Sequence, residues 1–187
     1  MTSFAASSAS RSTAVVVLRW LATFPGFPLG GLAAMLLVGP VDSATSAIAG
    51  GLVSGAVLGL AQAWGLGLDR RAASGWVAAT ATGFAVGLAA GAAAVGYGTD
   101  LRDLALQGGV AGLCVGAAQG SRLAASLDGA AIAWPAYLGA LWAMGWTLTY
   151  AVGVQVDEQF TVFGAAGAVT VTALTSVLPL ALARRGR

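Results

Sequence analysis

The stretch GLVSGAVLGLAQ, residues 51–62, returns with the same small-residue pattern as GGVAGLCVGAAQ at residues 108–119. In each copy three glycines stand four residues apart and a glutamine closes the run. Spacing of four places the glycines on one face of an α-helix. In a bilayer, where packing rather than water drives helix association, such a face lets two backbones approach closely. We therefore expect helix-packing glycines and intramembrane polar groups here: Gly51, Gly55, Gly59, Gln62, Gly108, Gly112, Gly116 and Gln119.

The composition indicates a membrane protein. Of the 187 residues, 58% are hydrophobic and 9% are charged, whereas soluble domains carry roughly 25% charged residues. A chain with so few charges cannot cover a water-facing surface of ordinary size. The lipid bilayer is therefore the expected partner, together with other membrane proteins or a second copy of the chain. The net charge of +2 comes from scattered arginines, so no nucleic-acid partner is expected.

Six apolar segments divide the chain, near residues 20–40, 45–64, 76–96, 103–122, 133–153 and 160–181. Each is close to the ~20 residues that a helix needs to span the hydrocarbon core. We predict an all-α polytopic membrane protein with six transmembrane helices in one domain, residues 14–183. A poorly ordered tail, residues 1–13, precedes this domain, and a basic tail, residues 184–187, follows it.

The arginines predict the orientation of the chain. Apart from Arg102, every arginine falls at the N-terminus, in the second or fourth connection, or at the C-terminus. The positive-inside rule then places both termini on the cytoplasmic side of the cell's inner (plasma) membrane. Four tryptophans fall at the same boundary, where headgroup-level aromatic belts form: Trp20, Trp64, Trp76 and Trp134.

A longer repeat contains the glycine runs. Gly83 and Gly87 in the third segment lie 57 residues after Gly26 and Gly30 in the first. The tryptophans at 20, 76 and 134 begin the first, third and fifth segments. We therefore predict three tandem two-helix hairpins, near residues 20–64, 76–122 and 133–181, with pseudo-threefold symmetry about the membrane normal. The third copy is divergent, because Ser176 stands where the first two copies predict a glutamine.

The pattern Gly-x-x-x-Gly-x-x-Gln, followed by a short basic connection, Trp and a Gly-x-x-x-Gly helix, resembles a broad set of uncharacterised bacterial multi-pass proteins with tandem hairpins. The resemblance covers residues 20–181. In that family a Trp directly follows the Gln, whereas Ala63 and Gly120 occupy this position here. The resemblance implies a fold of tandem helical hairpins and no activity, since none is known for the family.

Other patterns leave alternatives open. AVGYGTD, residues 94–100, is similar to a potassium-channel filter, but it follows a full-length span, so a helix-terminating turn is favoured. Gln62 and Gln119 suit mutual hydrogen bonding near the pseudo-axis, a solute path or loop capping. Pro25 and Pro28 predict a kink or a broken helix. The acidic residues of the opposite face suit polar turns or a cation vestibule: Asp42, Asp100, Asp103, Asp157 and Glu158.

The sequence contains no pattern that predicts catalysis. Histidine is absent, Cys114 is the single cysteine, and no charged residue lies in the middle of a predicted span. We therefore expect that the protein is not an enzyme and that it has no cofactor and no metal site. Two functions remain: a structural or accessory protein that binds membrane partners through its glycine faces, and a permeation protein for small solutes or ions. A wide polar cavity on the pseudo-axis favours permeation, whereas a filled axis favours partner binding.

Overall fold

The computed structural model describes residues 12–127, 129–154, 156 and 160–185. Within these residues the protein is all-helical, as predicted, and contains no strand. The helices are α1 (Thr13–Leu21), α2 (Gly26–Leu37), α3 (Ala44–Leu66), α4 (Arg70–Ala94), α5 (Leu101–Leu127), α6 (Ala130–Ala151), α7 (Ala165–Leu174) and α8 (Val177–Arg185). Thr13, placed in the predicted tail, begins α1, and Arg184 and Arg185 of the predicted basic tail belong to α8.

Four stretches of this chain are long and apolar enough to cross a bilayer. They are Thr13–Leu37, which comprises α1 and α2, then α3, α4, and Ala165–Arg185, which comprises α7 and α8. Helices α5 and α6 have similar lengths, 27 and 22 residues. They are less apolar because they carry Gln107, Gln119 and three tryptophans. The fold is therefore that of a membrane-embedded helical protein.

The first and the last of these stretches are broken, the first at Pro25, which has no backbone N–H, and the last at Thr175 and Ser176, three to four residues before Pro179. Between α1 and α2 the hydrogen bonds shorten to the i−3 type, such as Gly26 N to Thr23 O, so the segment is broken at Pro25 rather than only kinked. Between α7 and α8 the N–H of Ser176 donates to Ala173 O. This shift leaves the carbonyl of Thr172 without its usual partner in the helix.

The helices pack as antiparallel neighbours in chain order, and the last stretch contacts the first. The connection 67–69 and residue Gly129 lie at the end where α1 begins and α8 ends, which we call the terminal end. The connections 38–43 and 95–100 and the residues 152–154 and 160–164 lie at the opposite, distal end. Because each stretch packs against the next and the last packs against the first, the helices surround a common axis.

The sixth predicted span becomes helical later than expected. The expected span begins at residue 160, but α7 begins at Ala165. Residues 160–164 instead form a non-helical wedge at the distal end. Thr161 is buried and shares a 2.7 Å hydrogen bond with Ser54, while Phe163 is buried among aromatic rings. The wedge replaces the first turn of a helix, because its buried side chains fill the distal end of the axis.

Local signals explain the helix ends. Ser43 and Ser46 form a capping box at the start of α3, and the side chain of Asp69 caps α4. These side chains satisfy N–H groups that lack a partner within the helix. After α4, Gly96 and Tyr97 both adopt positive φ, and Tyr97 N donates to Ala92 O. The filter-like stretch is thus the turn that ends α4.

Candidate functional site

The glycines of α3 lie against the backbone of α4. A Cβ built on Gly51 would lie 2.6 Å from Ala85 Cα, and one on Gly55 would lie 2.7 Å from Ala81 Cα. A Cβ on Gly59 would lie 3.0 Å from Val77 Cα. Real Cβ atoms essentially never come within 3.0 Å of another heavy atom, so Gly51 and Gly55 require glycine for the present helix separation. At Gly59 the added Cβ would make a tight contact that Val77 must yield to.

The next two pairs repeat this geometry. Cβ atoms built on Gly83 and Gly87 of α4 would lie 2.9 and 2.7 Å from the Cα atoms of Val115 and Ala111 in α5. On α5, the glycines face α6, where the nearest backbone atoms include Trp142 O for Gly108, Leu138 O for Gly112 and Pro135 Cα for Gly116. All eight predicted glycines therefore face a neighbouring helix of the same chain, and these faces are not free for a partner.

A polar network joins four helices in the terminal half of the bundle. Gln119 of α5 donates through Nε2 to Gln62 Oε1 of α3 at 3.0 Å and to Thr80 Oγ1 of α4 at 3.0 Å. Trp76 Nε1 donates to Gln62 Oε1 at 3.2 Å, and Trp134 Nε1 of α6 donates to Gln119 Oε1 at 3.1 Å. Direct hydrogen bonding is thus the arrangement found for the two glutamines.

The indoles determine which way the two amides point. An indole N–H only donates, so Gln62 presents its oxygen to Trp76 and Gln119 presents its oxygen to Trp134. The Gln119 nitrogen must then face Gln62 and Thr80, whose oxygens accept. Thr80 in turn donates to Trp76 O at 2.9 Å. Every polar atom of the Gln119 side chain is therefore bonded in a site that is 1% exposed.

The indole N–H of Trp20 also donates to a neighbouring helix, α7, but its acceptors are not glutamine oxygens. Its Nε1 donates to Thr172 O at 3.0 Å and to Thr175 Oγ1 at 3.2 Å. The break between α7 and α8 makes the Thr172 carbonyl available. Ser176, the predicted third polar position, is half-buried, and Thr175 accepts the indole in its place. A backbone carbonyl and a hydroxyl thus accept the indole N–H of Trp20, as glutamine oxygens do for Trp76 and Trp134.

The tryptophans differ from the prediction of a headgroup belt. Trp20, Trp76 and Trp134 are buried and donate into the bundle, whereas Trp64 is 55% exposed. The guanidinium carbon of Arg19 lies 5.0 Å from the centre of the Trp64 ring. The belt prediction was wrong for three of the four, because a nearby acceptor inside the bundle satisfies each indole N–H.

Aromatic rings fill the axis towards the distal end. Trp142 packs edge-on against Phe84 with ring centres 4.9 Å apart, and against Phe27 at 5.8 Å. Phe163 of the wedge lies 5.0 Å from Phe27 and 5.7 Å from Trp142. All four side chains are buried. The sequence reasoning missed this cluster, although Phe27, Phe84 and Trp142 are spaced by 57 and 58 residues.

A small cavity lies between the polar network and the aromatic cluster. Its volume is about 10 Å³. Its lining includes Trp20, Gln62, Gln119, Thr172 and Thr175. The cavity has polar walls but is too small for a solute, so the axis is closed at this level.

Two buried polar side chains lack partners within the described residues. Both amide atoms of Gln107 are unbonded, although this residue is 1% exposed. The hydroxyl of Thr172 is also unbonded. Sequence reasoning passed over Gln107, which lies one residue before the second glycine run. Its position in an apolar segment is a signal that could have identified it.

The acidic residues do not form a metal site in the part of the chain that the structure describes, where no three His, Cys, Asp or Glu side chains cluster. Asp42 accepts a 2.9 Å hydrogen bond from Ser46 near the start of α3, and Asp103 lies in the first turn of α5. Asp157 and Glu158 lie outside the described residues.

Comparison of this chain with protein-family models, with curated proteins and with solved structures gives no match.

Proposed function

We propose that the protein is a six-span membrane protein of three tandem hairpins with pseudo-threefold symmetry, both termini lying in the cytoplasm. Helices α5 and α6 would be spans as well, since 27 and 22 residues correspond to about 40 and 33 Å. Their polar and aromatic side chains Gln107, Gln119 and Trp142 are buried, whereas Leu106, Leu113 and Ile132 are exposed. The bundle therefore offers lipid an apolar surface at both helices.

Equivalent contacts support the threefold arrangement. Trp20, Trp76 and Trp134 each donate to a helix at the terminal half of the bundle, namely α7, α3 and α5. At the next level Phe27, Phe84 and Trp142 approach the same axis. Positions that are 56–58 residues apart thus make corresponding contacts, which is the pattern expected of repeats that face the membrane in the same orientation.

For its function, we infer a non-enzymatic structural or accessory role in the membrane, in which the bundle binds other membrane proteins. The observation that carries this inference is the filled axis: aromatic rings occupy the distal half, and the cavity beside them holds about 10 Å³. A path for solutes needs a continuous polar opening, and this axis is packed.

A partner would use side-chain surface rather than glycine faces. The glycine faces are occupied by neighbouring helices of the same chain. Helix α2 presents large apolar side chains outward, with Leu36 and Leu37 more than 70% exposed. Such side chains are compatible with lipid and with a partner's transmembrane helix. Partner binding therefore means packing against leucine-rich surface.

The permeation alternative has one observation in its favour, the polar lining of the small cavity. Opening it to a path would require the ring of Trp142 or Phe84 to leave the axis. Both rings are packed edge-on against each other. Because close-packed interiors resist such movement, we rank permeation second.

A flux assay separates the two functions. Purified protein in liposomes should pass ions and small neutral solutes no faster than empty liposomes. The Trp142→Ala variant is the control, since it removes the largest ring from the axis. Flux that appears only in this variant places the barrier at Trp142 and supports the accessory role. Flux through the wild-type protein contradicts that role.

Photo-crosslinking in native membranes tests partner binding. A crosslinking residue at Leu36 should yield a discrete protein adduct, and one at buried Leu58 should yield only intrachain products. Adducts with lipid alone, at Leu36 and at the exposed Ile132 on α6, would contradict the proposed partner.

A further inference from the structure

The hydroxyl of Thr172 is a buried polar group in need of a partner. Thr172 is 2% exposed, and its Oγ1 makes no hydrogen bond within the described residues. The other buried threonines in the described residues are hydrogen-bonded. Thr80 and Thr149 donate to a carbonyl one turn earlier, Trp76 O and Gly145 O, and Thr161 bonds the Ser54 hydroxyl. An unbonded buried hydroxyl costs free energy, so the exception calls for a ligand.

Thr172 lines the small cavity beside the polar network. The volume of about 10 Å³ is at the lower limit of what one water molecule needs. A buried water also needs two to four polar partners. Besides Thr172, the cavity is lined by Gln62, Thr23 and Thr175, which carry polar side chains.

The N–H groups of Gln62 Nε2 make no hydrogen bond in the polar network. Both of its hydrogen bonds in the network are accepted by Oε1, from Trp76 and Gln119. The indole of Trp76 fixes this orientation, because it only donates. The two N–H groups of Gln62 Nε2 are therefore available to an acceptor in the cavity that Gln62 lines.

We propose that this cavity binds one ordered water molecule, which accepts from Gln62 Nε2 and exchanges a hydrogen bond with Thr172 Oγ1. The first two hairpins contribute Gln62 and Gln119 to the network, and the third contributes no glutamine. Thr172 O and Thr175 Oγ1 already accept the indole N–H of Trp20. The water supplies the remaining acceptor, the one for Gln62 Nε2, and links α7 to α3. This site depends on the hydrogen-bond geometry alone and is independent of the protein's function.

The Thr172→Val substitution tests for the water, because the direction of its effect on Tm depends on whether the water is bound. Valine has the shape of threonine and lacks the hydroxyl. If the water is bound, the variant loses a hydrogen bond and its Tm in detergent falls by about 2–4 °C. If the cavity is dry, the variant removes an unbonded hydroxyl, and an unchanged or higher Tm overturns the proposal. Thr147→Val is the control, since Thr147 donates to Ala143 O on the exposed surface.

A double-mutant cycle provides the second test. Gln62 and Thr172 make no direct hydrogen bond with each other, so a bridging water would couple the two side chains. The Tm decreases of Gln62→Met and Thr172→Val should therefore sum to more than that of the double variant. Additive decreases overturn the bridge. A density map that resolves other buried waters should contain a peak within hydrogen-bond distance of Thr172 Oγ1, and a map without that peak rejects the site even if a variant fails to fold.

Discussion

Gln119 Nε2 donates a 3.0 Å hydrogen bond to Gln62 Oε1, although the two residues are 57 positions apart in the chain. Each closes a glycine run of the same pattern, on α5 and on α3. Helix α4 lies between these helices in the sequence and contributes Thr80 and Trp76 to the same network. The pair therefore ties the first two hairpins together at the terminal half of the bundle.

Replacing Gln119 by Met should destabilise the bundle. Gln119 makes three hydrogen bonds, and interhelical bonds in membranes average about 0.6 kcal/mol each. The expected loss is about 2 kcal/mol, with further cost from the unbonded indole of Trp134. Thermal unfolding in detergent measures it.

Gln107→Met is the matched control for that substitution. Gln107 lies on the same helix, is equally buried, and has both amide atoms unbonded within the described residues. Removing an unbonded buried amide should leave Tm unchanged or raise it. Equal losses for Gln107→Met and Gln119→Met would show that the network adds no stability beyond packing.

Gly112→Ala should lower stability, whereas Gly109→Ala should raise it. The added Cβ at residue 112 would lie 2.5 Å from Leu138 O, so α5 and α6 must separate. Overpacking of this kind costs about 1–3 kcal/mol. At Gly109 the nearest atoms are 3.8 Å away, and alanine gains about 0.5–1 kcal/mol in a helix interior. Unfolding curves of the two variants should shift in opposite directions. A Gly112→Ala variant as stable as the wild type, or more stable, would contradict close packing at residue 112.

Trp20→Phe should cost more stability than Trp64→Phe. Phenylalanine lacks the N–H that Trp20 donates to Thr172 O and Thr175 Oγ1, so the link between α1 and α7 is lost. Trp64 is exposed, and its ring contacts the guanidinium of Arg19. We expect a difference of about 1 kcal/mol in the free energy of unfolding. Similar values for the two variants would indicate that the Trp20 hydrogen bonds are unimportant.

Cysteine labelling tests the six spans and their orientation. In a Cys114→Ala background, single cysteines at Thr99, Gly129 and Val154 should react with an impermeant reagent from outside, inside and outside, respectively. Gly129 discriminates between models, because it lies between α5 and α6. Its reaction from the outside would mean that these two helices do not cross, even though the four more apolar stretches do.

Much of the fold could be predicted from the sequence, because it depends on composition and local periodicity. The low charge content predicts the membrane class, and the apolar lengths predict α3 to α6 to within a few residues at most ends. Proline and glycine positions mark where helices break or end, as at Pro25 and Gly67. These properties act through each segment's own side chains and backbone, so they can be read before the helices are packed.

The tertiary structure alone decided which polar groups meet. Whether an indole faces lipid headgroups or the interior depends on an acceptor within hydrogen-bond distance, and for Trp20 that acceptor is 152 residues away at Thr172. The wedge at residues 160–164 is non-helical because Phe163 is buried against Phe27 of α2 and Trp142 of α6, and Thr161 against Ser54 of α3. Residue spacing predicts which positions correspond between the proposed repeats. The partner of a buried donor depends on distances in space, which exist only once the helices have packed.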